Sequence, residues 1–103
     1  MKSLYAIEMD YQRAMAQADE LDHLASQLKS QAEQNFPEIL ANVQAAWQGD
    51  NANAYVSKAK NLQPRMLNAS RNLSNVASTI RTVATNTYRA EMQAYEIAQQ
   101  RTY

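Results

Sequence analysis

The sequence YVSKAKNLQPRMLNASRNLSNVASTIRTV, at residues 55–83, carries apolar side chains at alternate steps of three and four residues. The residues on this spacing are Tyr55, Ala59, Leu62, Met66, Ala69, Leu73, Val76, Ile80 and Val83. Such spacing places side chains on one face of an α-helix. The stripe continues to Ile97, with Thr87 as a polar member. It predicts one helix from about Asn51 to about Gln99 that packs against another helix in a left-handed coiled coil.

A second stripe of the same kind occupies the first half of the chain. Its members are Ile7, Tyr11, Ala14, Ala18, Leu21, Ala25, Leu28 and Ala32, followed by Phe36, Ile39, Val43 and Ala46. One additional residue separates the two parts, directly before Pro37. Proline removes a backbone donor and its ring clashes with the preceding helical turn, so a bend or local break is expected at residues 35–37. The first helix is predicted over about residues 4–46, with a kink near Pro37.

A helix-helix turn is predicted between the two stripes, at residues 47–50. Gly49 is the single glycine of the chain, and a glycine that follows a helix adopts the left-handed conformation that ends it. Asp50 or Asn51 is then expected to cap the next helix, with Trp47 at the tip of the turn. The 103 residues are therefore expected to form one all-α domain, an antiparallel helix-turn-helix hairpin.

Two sets of apolar residues are expected on this hairpin. The larger residues of the seam are Leu21, Leu28, Phe36, Ile39, Val43, Leu62, Met66, Leu73, Val76 and Ile80. Those outside the seam are Leu4, Met15, Leu24, Leu40, Leu67 and Met92. A two-helix hairpin has no third element to cover the second set, and exposed apolar surfaces of useful size mark partner sites. Two hairpins are therefore predicted to pair into a four-helix bundle, as a homodimer or as a heterodimer with a related hairpin.

Charge is unevenly distributed along the chain, although the net charge is zero. Residues 1–50 carry three Lys or Arg against eight Asp or Glu, and residues 51–103 carry seven against two. Antiparallel helices of opposite charge attract each other. This interpretation is favoured over nucleic-acid binding, because domains that bind phosphate backbones are basic overall and have denser basic clusters.

Neither a membrane anchor nor a signal peptide is expected from the apolar runs, which are short. No segment approaches the roughly 18 apolar residues of a membrane-spanning helix, so stable membrane insertion is not expected. Glu8 and Asp10 interrupt the N-terminus before a signal-peptide core of roughly 7–15 apolar residues is complete. A membrane-surface helix is a further alternative, but such helices combine a cationic face with larger aromatic residues, whereas this stripe is rich in alanine.

The sequence contains no convergent set of catalytic or metal-binding residues. Cysteine is absent and His23 is the single histidine, so the several ligands of a metal site are lacking. The acidic residues Asp19, Glu20 and Asp22 are expected on a solvated helix surface, without the concave, water-poor site that acid-base catalysis requires. We therefore expect no enzyme activity and no cofactor.

In its length, its two heptad helices and its central Trp47-Gln48-Gly49, the chain resembles the WXG-100 or early-secreted-antigen-like family. The resemblance covers the whole chain. It implies a folded dimer, made in the cytoplasm and exported to the cell surface or medium by the membrane ATPase of a type VII (Esx or Yuk-like) secretion system. The chain would be a substrate or the partner of a co-secreted protein. Trp47 and Gly49 would form the hairpin motif, with the tryptophan beside the partner's C-terminal tail.

The tail signal of that family is a tyrosine followed four residues later by an acidic residue, and this chain departs from it. Tyr88 is followed at that distance by Met92, and Tyr95 by Gln99, whereas Glu91 lies three residues after Tyr88. Either Glu91 serves in its place, because residues three apart are neighbours on a helix, or a heterologous partner supplies the signal.

The end of the second helix is expected to extend beyond the first. Antiparallel pairing around the turn places Ile7 opposite roughly residue 91, so Tyr95, Ile97 and Tyr103 would project past their own hairpin. The residues predicted to form an export or partner tail are Tyr88, Glu91, Met92, Tyr95 and Ile97. The alternative is a frayed terminus with incidental aromatic residues.

A structural subunit of another secretion apparatus, of the filament or needle type, is the alternative function. Such a subunit would also be a small helical chain, but it would polymerise. A discrete dimer in solution favours the secreted hairpin, and open-ended oligomers favour the structural subunit.

Overall fold

The computed structural model of the chain describes residues 2–47 and 49–101, the side chains of residues 50–52 excepted. Within these residues the helices are α1 (Leu4–Ser30), a π-helical turn (Gln31–Asn35), α2 (Phe36–Ala46), α3 (Asp50–Lys60) and α4 (Leu62–Gln100). No strand occurs in the part of the chain that is described. The predicted all-α class is confirmed, and its two long helical segments are consistent with a helical hairpin.

The additional residue before Pro37 is accommodated in the π turn. The backbone N–H of Phe36 donates to the carbonyl of Gln31, five residues earlier, instead of to the carbonyl four residues earlier. A π turn holds one residue more than an α-turn, and it places the proline ring away from the Glu33 carbonyl with which it would clash in a regular α-helix. The chain therefore stays helical through residues 35–37, so the predicted local break is wrong, while the bend stays a prediction.

The helix predicted over residues 51–99 is divided at Asn61. The N–H of Asn61 donates at 3.1 Å to the carbonyl of Lys58, three residues earlier, and so closes a tighter turn than that of an α-helix. Pro64 has no N–H to donate to Lys60, and its ring crowds the carbonyl of that residue. This proline, which leaves the apolar spacing undisturbed, accounts for the boundary between α3 and α4.

The turn between α2 and α3 contains Gly49, as the sequence predicts, but the glycine does not have the left-handed helical conformation that was expected. Trp47 leaves the helix in an extended conformation, and its N–H donates to Val43 at 2.9 Å. Gly49 has φ 117° and ψ 174°, a conformation that L-residues rarely adopt. Gly49 itself occupies the N-cap position of α3, and Asp50 is the first residue of the helix. Gln48 and the side chain of Asn51 lie outside the described part of the chain.

The chain divides into two compact units, and each is an antiparallel pair of helical segments. The first contains the residues up to Leu21 and those from Asn75 onward. In this unit Lys2 pairs with Glu91, and Asp19 pairs with Arg81. Residue numbers thus rise along α1 while they fall along α4, which is the antiparallel order.

The second unit, Asp22–Ser74, contains the π turn, α2 and α3 as well as the adjoining parts of α1 and α4. In this unit Ser70 hydrogen-bonds to Ala25, and Gln63 hydrogen-bonds to Ala32. The order of these pairs is again antiparallel.

Small side chains dominate the core of both units. In the first unit Ile7, Ala18 and Ala77 are buried. In the second, the buried residues are Ala25, Ala32, Leu40, Val56 and Ser70. Alanine allows two helix backbones to approach closely but removes little apolar area from water, so each helix pair gains modest hydrophobic stabilisation.

Only some of the residues predicted to form the seam are buried between helices of this chain. Its half-buried members are Leu21, Leu28, Phe36, Val43, Met66, Leu73 and Ile80. Ile39, Leu62 and Val76 are exposed instead. Leu40 is buried where Ile39 was expected, because the π turn advances the register of α2 by one residue. On α3 and α4 the buried residues are Val56, Ser70 and Ala77, which we call the buried line. Each follows a member of the predicted stripe by one residue.

Candidate partner-binding surface

A row of large apolar side chains is exposed on α3 and α4. Its members are spaced at seven residues or multiples of seven, and we call them the heptad row. In the second unit they are Tyr55 and Leu62, and in the first unit they are Val76, Val83 and Ile97. Each is 43% to 57% exposed. Apolar residues at heptad spacing are the contact residues of helix-helix interfaces, so in each unit by itself the row members have the form of an unpartnered interface.

Polar side chains on the buried line explain why the heptad row faces outward. Ser70 is buried, and its Oγ donates to the carbonyl of Ala25 at 2.7 Å. Seven residues earlier, Nε2 of Gln63 donates to the carbonyl of Ala32 at 2.8 Å. A buried polar group is tolerated when it is hydrogen-bonded. With Gln63 turned inward, its apolar neighbour Leu62 is left at the surface.

The hydrogen bond from Gln63 satisfies a carbonyl that the backbone leaves without a donor. In an α-turn the Ala32 carbonyl would accept from Phe36, but the Phe36 N–H bonds to Gln31. In a π turn it would accept from residue 37, which is a proline without an N–H. Ala32 is fully buried, so water does not replace the missing donor. An unsatisfied buried carbonyl would cost about 1–3 kcal/mol.

Gln63 and Ser70 are structural residues that the search for apolar periodicity misses. Both are polar, and each directly follows a member of the apolar stripe, Leu62 or Ala69. A signal was nevertheless present, because residues 63, 70 and 77 are small or polar at heptad spacing. Ala18, Ala25 and Ala32 repeat at the same spacing in the first half. Two matching rows of this kind indicate close helix contact with side-chain hydrogen bonds to the opposite backbone.

An apolar groove of about 370 Å³ lies in the first unit. Apolar side chains from both helices line it, among them Ile7, Tyr11, Ile80 and Val83. The rings of Tyr11 and Tyr88 contact each other with their centroids 4.7 Å apart. Val83 thus belongs both to the groove wall and to the heptad row. Ile7 and Glu91 line the same groove, in agreement with the predicted pairing of Ile7 near residue 91.

Three charged groups stand at the rim of this groove. Nζ of Lys2 lies 2.8 Å from Oδ2 of Asp10 and 3.0 Å from Oε2 of Glu91. The hydrogen bond from Lys2 lowers the pKa of the Asp10 carboxyl. The hydrogen bonds to Asp10 and then to Glu91 raise the pKa of Lys2. The cluster links the N-terminal residues to α4 at the rim of the groove.

The residues of the predicted tail differ in how far they are buried. Tyr88, Glu91, Met92 and Tyr95 are half-buried, whereas Ile97 is exposed. Tyr88 contacts Tyr11 and Glu91 pairs with Lys2, as described above. Helix α4 continues to Gln100, so the tail is helical as far as it is described. Tyr103, expected to belong to the overhang, lies outside the described residues.

Trp47 lies at the turn, as the sequence predicts, and 56% of its surface is exposed. Its ring meets that of Tyr55 edge to face, with centroids 5.8 Å apart. Val43 and Ala46 complete a shallow apolar hollow around these two rings. Because Tyr55 is a member of the heptad row, the row begins beside the tryptophan in the second unit.

The described residues contain no group of three His, Asp or Glu side chains placed to hold a metal ion. His23 is exposed on α1. None of the described helices combines the length and the apolar composition that crossing a membrane requires.

No protein-family model, curated protein or solved structure matches this chain. The resemblance to the WXG-100 family therefore rests on the positions of Trp47 and Gly49 and on the two long helical segments.

Proposed function

We propose that this protein binds a second helical chain through its heptad row and is exported as that folded pair by a type VII secretion system. The exposure of the heptad row is the observation that carries the proposal. Two large apolar side chains of the row in the second unit and three in the first are each about half exposed, and pairing with another helix would cover them in each unit.

The energetics support a partner. Full burial of a large aliphatic side chain contributes about 1.5–3 kcal/mol, so covering the exposed half of each row member contributes about 1 kcal/mol. Four of the eight described buried residues are alanines, which provide little of this stabilisation. Pairing two chains would therefore supply a substantial share of the apolar burial of the fold.

Charge favours a second copy of this chain as the partner. Lys58 and Arg65 are exposed three residues after Tyr55 and Leu62, so they flank the row on α3 and α4. On α1 and α2, the exposed carboxylates of Glu20 and Glu38 belong to the acidic half of the sequence. Packing the basic half of one copy against the acidic half of another places opposite charges together at the edge of the interface.

Export is the part of the proposal that follows from the resemblance. The motif residues Trp47 and Gly49 lie at the helix-helix turn, where the family has its hairpin. The exposed tryptophan and its hollow provide a surface for recognition by the partner's tail or by the secretion ATPase. The residues Tyr88 and Glu91 would provide the tail signal of this chain.

The experiment compares export with pairing for the same variants. Secretion by the producing cell is measured with an intact and with an inactivated type VII ATPase, and the proposal predicts that inactivation retains the chain inside the cell. Trp47→Ala is expected to reduce secretion while the dimer persists. Tyr5→Ala, which removes another exposed aromatic residue outside the turn, is the control. Unchanged secretion without the ATPase would contradict the export proposal, and open-ended oligomers of the purified chain would favour the filament subunit.

A further inference from the structure

Two adjacent aliphatic residues of α2 have opposite environments. Leu40 is 7% exposed and Ile39 is 56% exposed. An uninterrupted α-helix from Ala32 would place residue 39, seven positions later, on the buried face. The π turn adds one residue, so that the buried face uses residue 40 instead. Phe36 and Val43 are half-buried, and they fit the buried face in either register.

Two hydrogen bonds define the observed register of the π turn. Phe36 donates to Gln31, and the Ala32 carbonyl accepts from Nε2 of Gln63. The one donor missing from the backbone, that of Pro37, is thus replaced by a side chain from α4.

The hydrogen bonds would also be complete in the alternative α register. The N–H of Phe36 would then donate to Ala32, four residues earlier, which releases Gln63. Because Pro37 has no N–H, the carbonyl left without a backbone donor would then be that of Glu33. Glu33 is exposed, so water would satisfy that carbonyl. Neither register leaves a buried backbone group without a partner.

We propose that the π turn is a register switch for α2. A slip of one residue would rotate α2 by about 100° around its axis, exchange Ile39 for Leu40 in the core, and so change the apolar surface that α2 presents beside Val43. Helix register shifts of this kind occur in microseconds to milliseconds. The inference concerns the fold of the second unit and is independent of the proposed export function.

Two residues hold the observed register. Gln63 supplies the donor that only the π register needs. Pro37 disfavours the α register, because its ring would meet the Glu33 carbonyl there. A binding partner would shift the balance only to the extent that it contacts the two surfaces of α2 differently.

The acceptor of the Phe36 amide distinguishes the two registers directly. Scalar couplings across hydrogen bonds, measured by NMR on the labelled full chain of 11.6 kDa, identify the carbonyl to which each amide donates. For the unaltered protein we expect Gln31 as the acceptor. For Gln63→Met and for Pro37→Ala we expect the acceptor to shift to Ala32. Solvent paramagnetic relaxation of the methyl groups should then become stronger for Leu40 than for Ile39.

Ser70→Ala is the matched control, because it removes the other hydrogen bond from α4 to an α1 carbonyl without touching the π turn. It should leave Gln31 as the acceptor. Gln31 as the acceptor in both Gln63→Met and Pro37→Ala would overturn the proposal. Pro37→Ala adds a backbone donor and so remains informative if loss of the Gln63 amide prevents folding.

Discussion

The side-chain amide of Gln63 donates to the backbone carbonyl of Ala32 at 2.8 Å and so completes a helix that Pro37 would otherwise leave one hydrogen bond short. Pro37 and Gln63 are 26 positions apart in the sequence, and neither is apolar core. The π turn, the burial of Leu40 and the exposure of Ile39 all follow from this relationship. It also links the shape of α2 to a residue of α4.

Loss of the Gln63 amide should destabilise the second unit only while Pro37 is present. Gln63→Met removes the donor to Ala32, and we expect the free energy of unfolding to fall by about 1 kcal/mol, less than the full penalty of an unpaired carbonyl because the register can slip. In a Pro37→Ala background the Ala32 carbonyl is expected to accept from the Phe36 amide and no longer to need Gln63, so the same change should cost much less. A double-mutant cycle by urea denaturation measures this coupling. Equal costs in the two backgrounds would show that Gln63 acts by packing alone.

Substitution of Gly49 should cost conformational energy without a steric clash. A Cβ at this position would meet nothing within 4 Å, but the φ of 117° is one that L-residues rarely adopt. We expect Gly49→Ala to lower the free energy of unfolding by about 1–3 kcal/mol. Ala45→Gly, on the exposed surface of α2, is a comparison in which the backbone is helical and a loss of only about 1 kcal/mol is expected. A stable Gly49→Ala protein would mean that the turn readily adopts another conformation.

The Lys2 cluster should make the first unit sensitive to acid. The pKa of Asp10 is lowered in the folded chain by the hydrogen bond from Lys2. Its contribution to stability is therefore present above the unfolded pKa of about 3.9 and is lost as the pH falls through the lower folded value. Carbon-detected NMR titration of Asp10 should give a higher pKa in Lys2→Met than in the unaltered protein. Lys29→Met, which changes another exposed lysine, should leave the Asp10 titration unaltered.

The same cluster has the opposite dependence at high pH. The pKa of Lys2 is raised by its hydrogen bonds to Asp10 and Glu91, so its contribution is present below the unfolded pKa of about 10.4 and is lost as the pH rises through the higher folded value. Lys2 and Asp10 are exposed and Glu91 is half-buried, so added salt should weaken the pair of Lys2 with Asp10 most. If the Asp10 titration were the same with and without Lys2, the cluster would not form in solution.

The close approach of the helices in the first unit should not tolerate a larger side chain at Ala77. Ala18 and Ala77 are both fully buried. Ala77→Leu should therefore destabilise this unit by about 1–3 kcal/mol through overpacking. Ala94→Leu introduces the same side chain at an exposed position of α4 and should change stability by less than about 0.5 kcal/mol. Hydrogen exchange at amides of the first unit reports the loss, and a wild-type exchange pattern in Ala77→Leu would refute close packing there.

Three features could be predicted because each depends on local signals. They are the all-α class, the turn at Trp47 and Gly49, and the contact stripe of the first half of the chain up to Ala32. Apolar spacing and a single glycine are read directly from neighbouring residues. The register slip before Pro37 was also visible. Its form was not, because a proline and one additional residue are compatible with a break, a kink or a π turn, and the choice depends on the distant donor Gln63.

The orientation of α4 could not be predicted from its apolar stripe. A stripe shows which residues avoid water without showing whether their own chain or a partner covers them. Ser70 is buried through a hydrogen bond to Ala25, while Val76 is exposed, the reverse of their hydropathy order. Cross-helix hydrogen bonds and alanine contacts decide this orientation, and both are tertiary interactions. For the same reason, the exposure of the heptad row could be recognised only from the structure, in which the helices are paired.

The mass of the purified chain in solution tests most directly whether the heptad row binds a second chain. Light scattering after size exclusion should give twice the chain mass of 11.6 kDa. Val76→Glu combined with Val83→Glu should give a helical monomer, because two buried charges would oppose pairing. Asn75→Glu combined with Thr82→Glu adds the same charge at adjacent exposed positions and should remain dimeric. A monomeric unaltered chain, alone and after co-expression with neighbouring small open reading frames, or a dimer that survives both row substitutions, would contradict the assignment of the heptad row as the partner-binding surface.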